Sequence, residues 1–397
     1  MSTRRLWTVV VMVSCALAVT GTLAWCAKKP TGKPYRIGAL FAVSGPAAPL
    51  GVPERNTALL LQDEINKAGG INGHPLEILI EDTGSEESRT VLAANKLMDQ
   101  GVLAIVGPSQ SGETMAIISA TQKREVPLVS CAASVSITQP AAERKWVFKT
   151  PQSDSLMADA IAINMKANGV KTMGYIGFAD GYGDGWLAEM RRSAATAGIK
   201  IVGEEKYNRT DASVTGQVLK LVAANPDAIL IAAAGTPGAT PQKDLAARNY
   251  KGKIYQTHGV ANPDFLRVVG KDGNGTILPI GPMLVFEQLP DSNPLKKSAA
   301  EYINKYEAKF GKDSRSTFGG HAWDASVMLS AAIPEALKKA KPGTKEFRLA
   351  LRDALENMKE VVATHGVYTM SPTEHNGLDN RARTMIKIEN GKWVLAK

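Results

Sequence analysis

Residues 102–134, VLAIVGPSQSGETMAIISATQKREVPLVSCAAS, decide how the chain is read. Residues 102–106 form a short unbroken apolar run of the kind a strand buried on both faces carries, and 126–130 form a second. Between them, 113–124 reads as a helix. Strand, helix, strand in so short a span predicts a right-handed crossover between parallel strands, with helices covering the sheet.

The same alternation extends in both directions. Upstream, strands are expected over 35–41 and 76–81, with helices over 52–68, stopped by Gly69-Gly70, and over 88–99. A second series starts after Thr150-Pro151. It has helices over 156–168, 185–197, 214–224 and 242–249, and strands over 172–178, 199–207, 228–233 and 254–257. Two separate parallel sheets follow from this pattern. Helices over 295–310, 323–340 and 345–358 come next. The chain then ends in strands over 383–389 and 393–395 around Asn390-Gly391, a hairpin dipeptide.

At 397 residues, with 44% hydrophobic and 21% charged side chains, the chain has the composition of a folded protein long enough for two domains. Arg4 and Arg5 precede an uncharged run over 6–25 with small-residue cleavage sites, so residues 1–27 read as a secretory signal peptide and the protein as periplasmic. Cys26 resembles a lipid-attachment position, although Trp25 stands where a small residue is wanted. Loss of 1–27 removes two Arg and no acid, lowering the net charge from +9 to +7. The basic residues are scattered, with no run of five, which argues against a nucleic-acid partner. Cys131 is the one cysteine beyond the leader, so no internal disulfide is expected.

In open parallel sheets, ligands sit where strand carboxyl ends lead into helix N-termini. The loop Gly107-Pro108-Ser109-Gln110-Ser111-Gly112 offers two hydroxyls, free amides and a helix dipole to a carboxylate; alternatively Ser109 merely caps the helix. Residues 130–134, Ser-Cys-Ala-Ala-Ser, repeat that chemistry, or else allow close helix–sheet packing. Tyr182, set among Gly181, Gly183 and Gly185, reads as an aromatic wall or as an exposed turn residue. A calcium loop from Asp180 fails because Arg191 holds the position that needs Glu. Residues 107–111 miss the nucleophile-elbow pattern, ending in Ser rather than Gly. His74, His258, His321, His365 and His375 show no metal-ligand spacing, and all but His258 are expected to be surface or capped residues. No enzyme, no cofactor and no metal is implied.

Several segments resemble the periplasmic leucine/isoleucine/valine-binding proteins, type I solute-binding proteins of ABC importers. They are Arg36-Ile37-Gly38, Ser44-Gly45-Pro46, Asp63-Glu64-Ile65-Asn66, Gly69-Gly70-Ile71-Asn72-Gly73, Val106-Gly107-Pro108, Tyr182-Gly183-Asp184-Gly185 and Ala224-Asn225-Pro226-Asp227-Ala228. The similarity spans roughly 35–395. It implies an α/β, periplasmic binding protein-like type I fold: two Rossmann-like lobes with parallel sheets joined by a three-crossover hinge. The N-terminal lobe would be 35–150 plus 283–365, and the C-terminal lobe 151–282 plus 366–397. The resemblance further implies a monomer that passes its ligand to ABC permease subunits in the inner membrane.

By the same resemblance, Ser111, Ala133 and Ser134 hold the ligand carboxylate and Tyr182 covers it. Where the family carries an acid for an amino acid's ammonium group, this sequence has His258. A neutral imidazole supplies no negative charge and a protonated one repels ammonium. The expected ligand is therefore a small carboxylate without an α-amino group, an aromatic acid or a 2-oxo acid. Ser109, Gln110, Phe41, Leu50 and Gly235 complete the candidate site. The alternatives are a true branched-chain amino acid binder, with Asp180 or Asp184 replacing the missing acid, and the ligand-binding module of a sensory system.

Overall fold

The computed structural model describes residues 29–396; the expected leader over 1–27, with Cys15 and Cys26, lies outside the described residues. The first series is β1 (Tyr35–Phe41), α1 (Ala48–Lys67), β2 (Leu76–Asp82), α2 (Glu87–Asp99), β3 (Ile105–Val106), α3 (Ser111–Arg124), β4 (Leu128–Ser130) and β5 (Val147–Lys149). Its five strands pair in the order β2-β1-β3-β4-β5, all parallel. β3 is shorter than the apolar run 102–106. The run still bonds to β1, Leu103 N donating to Arg36 O at 2.8 Å and Ala104 O accepting from Gly38 N at 2.9 Å.

The second series is α4 (Asp154–Ala167), β6 (Thr172–Phe178), α5 (Gly181–Ala197), β7 (Lys200–Tyr207), α6 (Thr215–Ala223), β8 (Ala228–Ala232), α7 (Ala239–Ala247), β9 (Lys253–Gln256), α8 (Pro263–Val269) and β10 (Ile277–Ile280). After it come α9 (Leu295–Phe310), α10 (Thr317–Leu337), α11 (Lys345–Glu356), β11 (Val361–Val362), β12 (Val367–Tyr368), β13 (Thr384–Glu389) and β14 (Lys392–Leu395). The second sheet runs β14-β13-β10-β9-β8-β6-β7. It is not purely parallel as expected, because β13 is antiparallel to both β10 and β14. β10 escaped the sequence reading because Pro279 lies inside it, and a proline argues against a strand. The strand tolerates it with a single bridge to β9, Ile277 to Tyr255, and takes its other pairing from β13.

Two helices start earlier than their glycines suggest. α5 begins at Gly181, capped by Asp180, whose carboxylate accepts from Tyr182 N at 2.9 Å and Gly183 N at 3.1 Å. Gly183 serves close approach rather than a turn: a Cβ there would lie 1.9 Å from Phe178 O. α10 begins at Thr317, capped by Ser316, so Phe318 and His321 are helical.

Both sheets have buried cores. One joins β1, β3 and β4 to α10 and α11 and includes Tyr368 and Met370; the other joins β6 and β8 to α4 and α5. A third apolar cluster runs from Leu60 and Trp323 through Met283, Leu284 and Val285 to Phe265 and Leu278, linking α1 and α10 to α8 and β10. Gln152 Nε2 donates to Ala382 O at 2.8 Å, and the Tyr368 hydroxyl lies 2.8 Å from Thr150 O. Gly281 sits against both neighbours, since a Cβ there would lie 2.5 Å from the Gln152 side chain and 2.4 Å from that of His365, so the segments near 150, 281 and 366 meet.

Candidate functional site

A narrow pocket lies between the strand carboxyl ends of the two sheets. Each half of the molecule contributes a wall.

From the first half come Leu50, Ser109, Gln110, Ser111, Cys131, Ala132 and Ala133. Gly107 turns the loop after β3 at φ +90°, where a Cβ would lie 2.1 Å from Leu40 O, so only glycine fits. The loop then delivers Gln110 as the N-cap of α3 and Ser111 as its first residue. No side chain caps this helix, so its first amides are free for an anion.

The two serines differ in what they have left to give. The Ser109 hydroxyl accepts from Ala42 N at 3.1 Å and donates to Glu54, and is committed within the protein. Burial lifts the Glu54 carboxyl well above the usual range, with the Ser109 hydrogen bond opposing that rise and nearby Glu113 adding to it. Among the described residues, the Ser111 hydroxyl is approached only by Ser134 N, at a long 3.4 Å. Both the Ser111 hydroxyl and the Ser134 amide can therefore serve a ligand.

The buried Lys149 ammonium orients that amide. Its Nζ donates to Ala133 O at 2.7 Å and Pro151 O at 3.3 Å. In a trans peptide the next N–H points opposite the carbonyl, so fixing Ala133 O aims Ser134 N–H toward Ser111. Burial lowers the Lys149 pKa to about 8, against the attraction of Asp154 and Glu374, so the group stays mostly charged at neutral pH.

From the second half come Tyr182, Arg209, Ala234, His258 and Gly259. The Thr257 hydroxyl donates to Ala233 O at 2.7 Å, so the Tyr182 hydroxyl gives its hydrogen to Thr257 at 2.8 Å. The ring is left as a cover. Arg209, 15% exposed at its side chain, donates from Nε to Asp180 at 2.7 Å and lies 4.1 Å over the Phe178 ring. Its terminal nitrogens have no hydrogen-bond partner among the described residues, leaving a forked donor for a carboxylate. His258 is 3% exposed, its Nδ1 has no partner, and burial, reinforced by Lys149 and His365, pushes its pKa down to about 3. The imidazole is neutral at physiological pH.

Pro151, Phe318 and His321 close the pocket. Among the described residues, no Asp or Glu lines it. Asp180 is bound to Arg209 and to the α5 amides, and Asp184 pairs with Lys206 at the surface, so neither stands in for an ammonium-binding acid.

Of the ten candidate residues, Ser109, Gln110, Ser111, Ala133, Tyr182, His258 and Leu50 line this pocket. Three do not. Phe41 is fully buried in the first core and lines a separate apolar cavity with Ile37, Ala39 and Val106, because it shares with Ile37 and Ala39 the face of β1 that packs on α1 and α10. Ser134 presents its backbone, while its hydroxyl caps a short turn at Ser136 N. Gly235 lies behind Ala234, against Leu50. Of the histidines expected at the surface or capped, His74 is half-buried with Nδ1 2.8 Å from Lys33 O, and His365 and His375 are buried but hydrogen-bonded; His321 departs from the expectation, being buried with Nδ1 unpartnered among the described residues. Arg209 was missed although it follows a strand carboxyl end, that of β7. Phe318 and His321 were missed because they come from a helix with no strand before it.

A family model described as a periplasmic binding protein matches residues 34–391. The leucine-, isoleucine-, valine-, threonine- and alanine-binding protein of Pseudomonas aeruginosa is 26% identical, over 81% of this chain and 83% of that one. Among solved structures, an extracellular ligand-binding receptor from Rhodopseudomonas palustris HaA2 is 41% identical, with a TM-score of 0.87 over 92% of this chain and 100% of that one. A branched-chain amino acid transporter substrate-binding protein from Streptococcus pneumoniae, solved with isoleucine, has a TM-score of 0.78 at 24% identity, over 91% of this chain and 98% of that one, and shares the fold.

Proposed function

This chain belongs to the periplasmic binding protein family and has its type I α/β fold, and from that premise we propose that it captures a small carboxylate lacking an α-amino group, an aromatic acid or a 2-oxo acid, between its two lobes. The observation that carries this reading is the pocket's charge: Arg209 and the α3 N-terminus supply positive potential, and no carboxylate lines the pocket to receive ammonium. The carboxylate lies against Ser111, the Ser134 amide and Arg209. Tyr182 and Leu50 cover the apolar part, and the neutral His258 meets a further oxygen.

The lobes are 35–150 plus 283–365 and 151–282 plus 366–397, hinged where the three segments meet. Ligand favours the closed arrangement because only there do both walls touch it. The protein acts without catalysis: Ser109 is bound to Glu54, and among the described residues no base is hydrogen-bonded to the Ser111 hydroxyl. It is exported through its leader, works as a monomer in the periplasm and delivers its ligand to ABC permease subunits.

A thermal-shift and calorimetry panel of phenylpyruvate, 4-methyl-2-oxopentanoate, benzoate and leucine tests this. Acids should stabilise the protein by about 2.7 kcal/mol at a hundred times their Kd, with little effect of leucine. Stabilisation by leucine alone would overturn the reading in favour of an amino acid receptor.

A further inference from the structure

His258 and His321 both line the same pocket, one from the turn after β9, the other from the first turns of α10. Both are almost wholly buried, at 3% and 1% exposure, and the Nδ1 atom of each lacks a hydrogen-bond partner. Buried polar atoms are rarely left so, and two on residues that line one pocket point to a place where a ligand supplies what the protein does not.

No neighbour can satisfy His321. Its ring stacks on His365 at 4.1 Å between centroids and 28° between planes. Both nitrogens of His365 are already taken, Nε2 by the Thr317 hydroxyl at 2.8 Å and Nδ1 by the Thr364 hydroxyl at 2.9 Å. On the other side, the Phe318 ring meets His321 edge-on at 6.2 Å, and Trp186 tilts against His258 at 5.7 Å. The imidazoles thus stand in an apolar, aromatic surround, and burial holds His321, like His258, below the usual histidine range.

A neutral imidazole has one donor and one acceptor nitrogen. A ketone or carboxylate oxygen only accepts, and so serves the pair only when both Nδ1 atoms carry the hydrogen. An ammonium group only donates, and would be repelled by Lys149 and Arg209. A hydroxyl does both, accepting from one ring and donating to the other. We infer that His258 and His321 form a hydroxyl-recognition pair across the cleft, so that the preferred ligand is a hydroxylated carboxylate, its hydroxyl seated between the two rings.

This rests on the carboxylate reading above, and the test separates the two. Kd is measured by calorimetry for matched acids with and without a hydroxyl: 4-hydroxybenzoate and benzoate, 4-hydroxyphenylpyruvate and phenylpyruvate. At least one pair should favour the hydroxylated member by tenfold or more, because a site built to hydrogen-bond a hydroxyl discriminates strongly against the analogue lacking it. In His321→Phe that ratio should fall to near one, whatever happens to the absolute affinities, and His321→Gln, which keeps a donor and an acceptor, should retain part of it. If the acids bind with ratios near one in the wild type, or if His321→Phe keeps the wild-type ratio, this inference falls and the carboxylate reading stands. If no acid binds, both fall.

Discussion

The two walls of the pocket are made of different material. The first half offers main-chain amides at the start of α3 and after β4, one free hydroxyl, and small side chains that let a ligand approach. The second half offers long side chains: Tyr182, Arg209 and His258. Peptide amides hold a carboxylate whatever the neighbouring side chains are, so the first wall is general. The second wall sets charge and shape, and there one substitution can redirect the receptor.

Arg209→Met should break that contrast most severely. Two charge-assisted hydrogen bonds at about 1.5–3 kcal/mol each amount to about 3–6 kcal/mol, so the Kd for phenylpyruvate should rise at least about a hundredfold by calorimetry. A change under about fivefold would place the carboxylate elsewhere. His258→Glu tests the opposite trade: a negative charge in the second wall should weaken the acids by more than about tenfold and bring leucine into measurable range. Failure of leucine to bind this variant would show that more than one acid is missing.

Ser111→Ala removes one hydrogen bond of the first wall, and should cost about 1.5–3 kcal/mol, or roughly 10- to 150-fold in Kd. Acid should weaken binding by a similar amount. In an open cleft His258 titrates near its ordinary 6.5, and in the closed pocket near about 3. A depressed pKa means the closed, neutral form is fully favoured above 6.5. Closure must expel a proton as the pH falls below that value, costing up to about 2 kcal/mol at pH 5. Through His258 alone affinity should therefore drop up to about 30-fold between pH 7 and 5, and His258→Asn should shrink the drop, with His321, whose pKa burial also lowers, carrying the rest. The smallest effect on affinity, under about threefold, is expected for Ser109→Ala. Its mark is on Tm instead, since the Ala42 amide and the Glu54 carboxyl lose their partner at about 1–3 kcal/mol.

Much of the fold could be read from the sequence because each apolar run and each Gly-Gly or Asn-Gly stop is a local signal. The all-buried β8, Ala-Ile-Leu-Ile-Ala, is such a case. β10 was hidden by Pro279, and the early starts of α5 and α10 by glycines that serve packing rather than turning. Within the pocket, residues that follow strand ends on the first wall were legible, since main-chain donors follow from topology. Phe318 and His321 were not, because their place depends on where a distant helix packs. Serine identity alone also could not distinguish Ser109, bound to a buried carboxyl, from Ser111, which is free.

Lys149 has a mechanical consequence. One ammonium grips both the carbonyl of Ala133, beside the Ser134 amide, and the carbonyl of Pro151, where the proposed first lobe ends. Under the proposed hinge, a rotation at that crossing would pull on Ala133 through a single nitrogen. Grip on the ligand and the angle between the lobes would then be geared together, and a substitution of Lys149 would be expected to loosen both at once.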